Sequence, residues 1–249
     1  MEKVLVQSDR VRAARIAECE KTPELSFVGS KRELCNGIVN ERDIVGAVIE
    51  MESIDEETKE FLVSLHRHFP ILKIGVISPV EIGGENIVWL DMEAIDAEID
   101  GRNGTLCSFL TGPFEKNKRR ANRYDWILHG YIGGEIREVS KYRIRSLGAG
   151  GAFLESAEGG PEPGTVTTLR ITFQNFQLFT ECEILERRQS SSNLPAGFGL
   201  RFVSLQPKTR ELIHRIVNDA VFQVLIEPEI EPAIPSLDEE ELTIDLMAL

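Results

Sequence analysis

Six consecutive apolar residues, Ile44-Val45-Gly46-Ala47-Val48-Ile49, leave a chain little choice of fold. A strand with one wet face alternates apolar and polar residues. An unbroken apolar run reads instead as a strand covered on both faces, the environment of a parallel sheet between helices. The surroundings fit an α/β layer fold. Lys3-Val4-Leu5-Val6-Gln7 reads as a first strand, and Ser8 or Asp9 as the cap of a helix towards Glu20 that carries Val11, Ala14, Ile16 and Ala17. Leu25–Val28 is a second strand, and Ser30 caps a helix to about Val39. Asp55 opens another helix, with Phe61, Leu62, Leu65 and Phe69 on one face. Ile71–Ile77 and Ile87–Leu90 read as the fourth and fifth strands, Thr105–Leu110 as a closing helix, and Gly112-Pro113 stops it.

The pattern then changes. From Trp126 to Phe202 turn residues are frequent and apolar residues alternate, as in Thr167-Thr168-Leu169-Arg170-Ile171-Thr172-Phe173, which predicts an antiparallel barrel. A helix from Pro207 to about Val224 places Leu212, Ile213, Ile216, Val217, Ala220 and Val221 on one face. The prediction is therefore two domains: a flavodoxin-like parallel α/β sheet over 1–112, and an antiparallel β-barrel with a C-terminal helix over 126–225. A basic linker, 113–125, joins them, and a proline-rich acidic tail, 226–249, is expected to be solvated and flexible.

Charge narrows the functions. The net charge of -13 argues against a general nucleic-acid binder. Yet Lys116–Arg145 holds nine Lys/Arg against three Asp/Glu, while Glu227–Leu249 holds eight acids and no base. A local basic patch on an acidic chain suits a small anionic ligand better than a polymer. Cys19, Cys35, Cys107 and Cys182 are scattered, and His66 and His68 stand two apart on a helix, so neither set reads as a metal site. No nucleophile–base pair or phosphate-binding glycine loop points to an enzyme. No apolar run approaches membrane-spanning length, and MEKVLVQSDR has no secretory h-region, so a cytoplasmic protein is expected.

The most basic stretch, Asn117-Lys118-Arg119-Arg120-Ala121-Asn122-Arg123, holds an R-x-x-x-R motif just before the barrel. Ser146-Leu147-Gly148-Ala149-Gly150-Gly151 follows some 20 residues later, and Gly197-Phe198-Gly199-Leu200-Arg201-Phe202 comes before the last helix. In this order the three pieces resemble the PilZ domain, the bacterial receptor module for cyclic di-GMP, over roughly 116–224. The resemblance implies that Arg119 and Arg123, with Arg120 helping, grip the ligand. An arginine's planar fork suits phosphate oxygens and guanine O6 and N7, and its face stacks on a purine. The second motif of the family is D/N-x-S-x-x-G. Here Ser146 stands in the Asp/Asn place, Gly148 in the Ser place, and Gly151 fits. A buried ligand group left without its hydrogen-bond partner costs about 1–3 kcal/mol.

The N-terminal half resembles a response-regulator receiver domain without its switch. Asp9 stands for the acids after the first strand and Ser78 for the hydroxyl after the fourth. Val48 occupies the phosphoacceptor position, with Glu50 two residues on, and Asp91-Met92 follows the fifth strand without a lysine. The resemblances imply a non-enzymatic cyclic di-GMP effector that needs no cofactor and acts on a protein partner through interdomain rearrangement. The competing expectation is a ligand-blind adaptor.

Overall fold

The computed structural model describes residues 2–7, 23–51, 55–77, 86–91, 100–105, 109–110, 122–133, 140–157, 159–191 and 195–237. The helix expected towards Glu20, with Asp9, lies outside these residues, as does Ser78. The chain divides into two compact units, Met1–Arg120 with Phe222–Glu231, and Ala121–Val221 with Pro232–Leu249.

The first unit holds a six-stranded sheet in the order β2-β1-β3-β4-β5-β6. Its strands are β1 (Lys3–Gln7), β2 (Glu24–Phe27), β3 (Ile44–Glu50), β4 (Lys73–Ile77), β5 (Asn86–Asp91) and β6 (Asp100–Thr105). The first four run parallel, as the buried run in β3 requires. Val45, Ala47, Val48 and Ile49 are each at most 8% exposed. On one face Val4, Val6, Val45 and Val48 pack with Phe109 and Leu110. On the other, Leu5 comes so near helix α1 (Lys31–Asn40) that a Cβ at Gly37 would lie 2.7 Å from its Cδ1.

Both helix starts are set locally. Ser30 accepts from the Glu33 N–H at 3.1 Å, and the Glu33 carboxylate reaches back to the Gly29 N–H at 2.7 Å. Asp55 accepts from the Thr58 N–H at 2.9 Å to open α2 (Glu56–His68). That backbone hydrogen bond holds the exposed Asp55 carboxyl below the usual range, as expected of an N-cap acid.

Two expectations need correction. The fifth strand pairs antiparallel with β4, not parallel. The segment Asp100–Thr105 is a strand, antiparallel to β5, so Thr105 ends a strand instead of opening a helix. Phe109 and Leu110 alone are seen as helical, and 106–108 lie outside the described residues. The cause is visible in the residues. DGRNGT has no apolar period, so main-chain pairing to β5 alone assigns it.

The second unit is a closed barrel in the order β10-β11-β12-β9-β8-β7. The strands are β7 (Leu128–Ile132), β8 (Ser140–Gly148), β9 (Gly151–Glu155), β10 (Val166–Thr172), β11 (Gln177–Arg188) and β12 (Gly197–Phe202). Alternation sends Ile144, Leu154, Leu169, Ile171, Ile184 and Phe198 inward, all 0% exposed. Helix α3 (Pro207–Ile226) buries Ile213, Val217, Ala220 and Val221 from the expected stripe. Leu212 and Ile216 are half-buried.

The tail differs from expectation as far as Leu237. Ala233 accepts from the Trp126 indole N–H at 3.1 Å. Leu237 is 4% exposed, and the Asn175 side chain holds both its N–H and its carbonyl. A few apolar residues suffice here because Asn175 supplies the hydrogen bonds that a lone extended segment lacks. Residues 238–249 lie outside the described residues.

Among the described residues no helix is long and apolar enough to cross a membrane. No cluster of His, Cys, Asp and Glu among them can hold a metal. Cys35 and Cys182 are both 0% exposed, and burial pushes each thiol up to about 11. At pH 8 about one such thiol in a thousand is ionised. Both are therefore expected to resist a brief iodoacetamide pulse in the native protein and to react fully in guanidinium. Mass spectrometry of the peptides checks this, and native labelling of either would contradict it.

Candidate ligand-binding site

The segment entering the barrel is fixed by its backbone. Tyr124 donates to the Leu147 carbonyl at 2.9 Å and accepts from the Leu147 N–H at 2.8 Å, an isolated antiparallel bridge onto the end of β8. Two residues earlier, the Asn122 side chain donates to Asn218 Oδ1 at 2.9 Å. Asn218 is a 4%-exposed amide in the apolar stripe of α3, and its other end lies 3.3 Å from His214 Nδ1. The indole of Trp126 is buried and stands edge-on to Tyr124 with ring centroids 4.6 Å apart. Arg123, between these anchors, is exposed. Arg119 and Arg120 lie outside the described residues.

The three positions of the second motif separate by role. A register shift between Ile144 and Ser146 places Arg145 at a bulge. Ser146 is half-buried and pairs with Phe153 on β9. Gly148 is buried beneath the entering segment. A Cβ there would lie 2.5 Å from the Asn122 carbonyl oxygen and 3.1 Å from Arg123 Cγ. The backbone of the arginine segment thus fills the space where a family serine would carry its side chain. Gly151 is also buried, but against a different neighbour. Its Cβ would stand 2.0 Å from the Leu200 carbonyl oxygen on β12. That glycine lets β9 and β12 close the barrel and offers a ligand no side chain.

Further charges lie around Asp125, two residues on from Arg123. Arg145 Nε lies 3.2 Å from Asp125 Oδ2. Burial pushes the Asp125 carboxyl up, and Arg145 and Arg143 partly counter it. Arg143 also pairs in register with Glu155 on β9. Arg143 and Arg145 thus stand on β8 with the Asp125 carboxylate between the barrel and the entering segment, while Arg123 passes over Gly148 at the end of the strand. Such guanidinium groups suit a phosphodiester or a purine edge.

Motif reading finds Arg123, Ser146, Gly148 and Gly151 in one region. It misses Asn122, Tyr124, Asp125 and Asn218, which set the segment's position. A signal for Asn218 was present: a polar residue interrupting Ile216-Val217 and Ala220-Val221 on an otherwise apolar helix face.

Residues 117–219 match the family model described as PilZ domain. No curated protein sequence matches the chain. Among solved structures, the chain is similar to YcgR from Escherichia coli in complex with c-di-GMP, at 14% identity and a TM-score of 0.38, over 47% of this chain and 51% of that one. The chain thus spans about half the length of YcgR. It is also similar to MotI/DgrA, the Bacillus subtilis inhibitor of motility, at 13% identity and a TM-score of 0.35, over 57% and 65% of the two chains. The K. pneumonia MrkH–c-di-GMP complex matches at 12% identity and a TM-score of 0.34, over 61% and 76%.

Proposed function

Residues 117–219 of this chain are a PilZ domain, and from that premise we propose that the chain is a receptor for cyclic di-GMP. The observation that carries the reading is the placement of Arg123. The Tyr124–Leu147 bridge and the Asn122–Asn218 hydrogen bond hold it exposed beside Gly148. Arg123 takes a phosphate or guanine edge, and Arg119 and Arg120, a few residues earlier on the same segment, take part in the grip. Ser146 offers one hydroxyl. Gly148 and Gly151 act through the close approaches that they permit. Binding is the function, with no chemistry done on the ligand. The occupied segment passes the change on to the N-terminal α/β unit, and a protein partner reads it.

Calorimetric titration of the purified full chain with cyclic di-GMP tests this. Micromolar binding is expected, weakened at least tenfold in Arg123→Ala, because a charge-assisted hydrogen bond is worth about 1.5–3 kcal/mol. Absence of heat at high micromolar ligand, or an unchanged affinity in Arg123→Ala, would sink the proposal.

One observation favours a second reading, a ligand-blind adaptor. The Asn122 carbonyl already fills the space above Gly148. On that reading, partner binding in a pull-down is independent of nucleotide and is lost on deleting Glu227–Leu249.

A further inference from the structure

The outer surface of the barrel carries a face whose charge opposes that of the chain. Strand register aligns Lys141 of β8 with Tyr131 of β7, Tyr131 with Arg170 of β10, and Arg170 with Phe179 of β11. One step along, His129 pairs with Arg143. Side chains two residues apart on a strand share a face, so these two rows form one surface across four strands. The first row holds no acid, and the second meets one only where Arg143 pairs with Glu155 on β9. The Arg170 guanidinium lies over the Tyr131 ring at 4.7 Å, and Phe179 is 60% exposed. Lys141, Arg143 and His129 are exposed as well. An apolar ring beside unburied guanidinium and ammonium groups is a surface for an acidic segment that also carries aliphatic side chains.

The same chain brings such a segment to the edge of this face. Thr172–Gln177 is the next register pair beyond Arg170–Phe179 on that face. Asn175, in the turn between them, holds Leu237 by both backbone groups. Residues 238–249, Asp-Glu-Glu-Glu-Leu-Thr-Ile-Asp-Leu-Met-Ala-Leu, begin at that point, with five acids, no Lys, Arg or His, and Leu242, Ile244 and Leu246 interspersed. Twelve residues reach up to ~40 Å when extended, whereas four strands span about 14 Å. We propose that residues 238–249 dock on this cationic, aromatic face of their own barrel. The acids of Asp238–Glu241 meet Lys141, Arg143 and Arg170, and the aliphatic side chains cover Phe179. This docking does not depend on the identity of the ligand.

Zero-length carbodiimide cross-linking of the intact chain, prepared as a mixture of 14N and 15N protein, tests it. The expected product joins Lys141 to a carboxylate among Asp238–Glu241 within one isotopic chain. Its yield should fall at least fivefold in Arg170→Glu and in Phe179→Ser, and also in 0.5 M salt, which shortens the Debye length to a few ångströms. Circular dichroism and thermal melting identify any variant that has lost the barrel, and Arg170→Gln then replaces it. An undiminished yield in folded variants overturns the proposal, because tethering alone would then account for the product. Mixed 14N–15N products making up about half of the total, the share that random pairing between copies gives, overturn it in favour of a second copy. Lys141 joined only to other carboxylates overturns it outright.

Discussion

Gly151→Ala is expected to destabilise the barrel by about 3 kcal/mol, at the upper end of what one added methyl costs in a packed site. The melting temperature of the barrel should fall by roughly 10 °C or more. A Cβ at 151 would lie 2.0 Å from the Leu200 carbonyl oxygen, 3.1 Å from its carbon and 3.2 Å from Arg201 Cα. All three are backbone atoms, so no side chain can rotate aside. Strands β9 and β12 pair through Gly151–Arg201 and Ala152–Leu200. Relief therefore requires the two strands to part, and that opens the barrel where five register pairs hold it closed. Gly150→Ala is the control, since nothing lies within 4 Å of its Cβ position. It should cost a few tenths of a kcal/mol at most. Thermal melting of both variants followed by circular dichroism decides the matter. Equal melting temperatures would contradict the strand-closure account of Gly151.

The contrast between these neighbours marks how far the sequence carries. Ile44–Ile49, Ser30 and Asp55 announce β3 and the two helix starts because each signal is local. Two-sided burial needs an apolar run, and an orphan N–H at a helix start needs a nearby acceptor. The alternation in Thr167–Phe173 announces a barrel strand for the same reason. Asp100–Thr105 is silent, since its pairing with β5 lies in backbone groups that every residue carries. Strand direction is silent too: nothing in Ile87-Val88-Trp89-Leu90 distinguishes the antiparallel partner of β4 from a parallel one. At the site, the R-x-x-x-R spacing locates Arg123, but the interactions that hold it span long separations. Asn122 reaches Asn218 across 96 residues. Gly148 and Gly151 look alike in sequence and differ only in what approaches them: the entering segment over the first, and the neighbouring strand against the second.

On the proposed function, Gly148→Ser should weaken cyclic di-GMP binding, although it adds a hydroxyl at that position of the motif. The new Cβ would meet the Asn122 carbonyl oxygen at 2.5 Å and Arg123 Cγ at 3.1 Å. The arginine side chain can move, but the carbonyl cannot move without lifting the segment. Lifting it breaks the two Tyr124–Leu147 backbone hydrogen bonds, 2.8 and 2.9 Å long, and draws Asn122 away from Oδ1 of Asn218, which is 4% exposed. Two backbone hydrogen bonds and one buried amide pair together are worth about 3 kcal/mol, against about 1 kcal/mol for one new hydroxyl interaction. The balance of about 2 kcal/mol predicts a roughly thirtyfold loss of affinity in Gly148→Ser. Ser146→Asp works in the opposite direction. Position 146 is half-buried, lies on a strand beside Arg145, and supplies the carboxylate expected of the family without crowding the segment. It should tighten binding severalfold. Calorimetry on the two single variants and the double variant separates the effects. If Gly148→Ser binds more tightly than the parent chain, the close approach of Asn122 yields to the ligand, and the segment is not preset. If Ser146→Asp alone recovers affinity while Gly148→Ser weakens it, the two altered positions of the motif have opposite causes. The first then lacks a group that the ligand could use, and the second is an accommodation to the arginine segment itself.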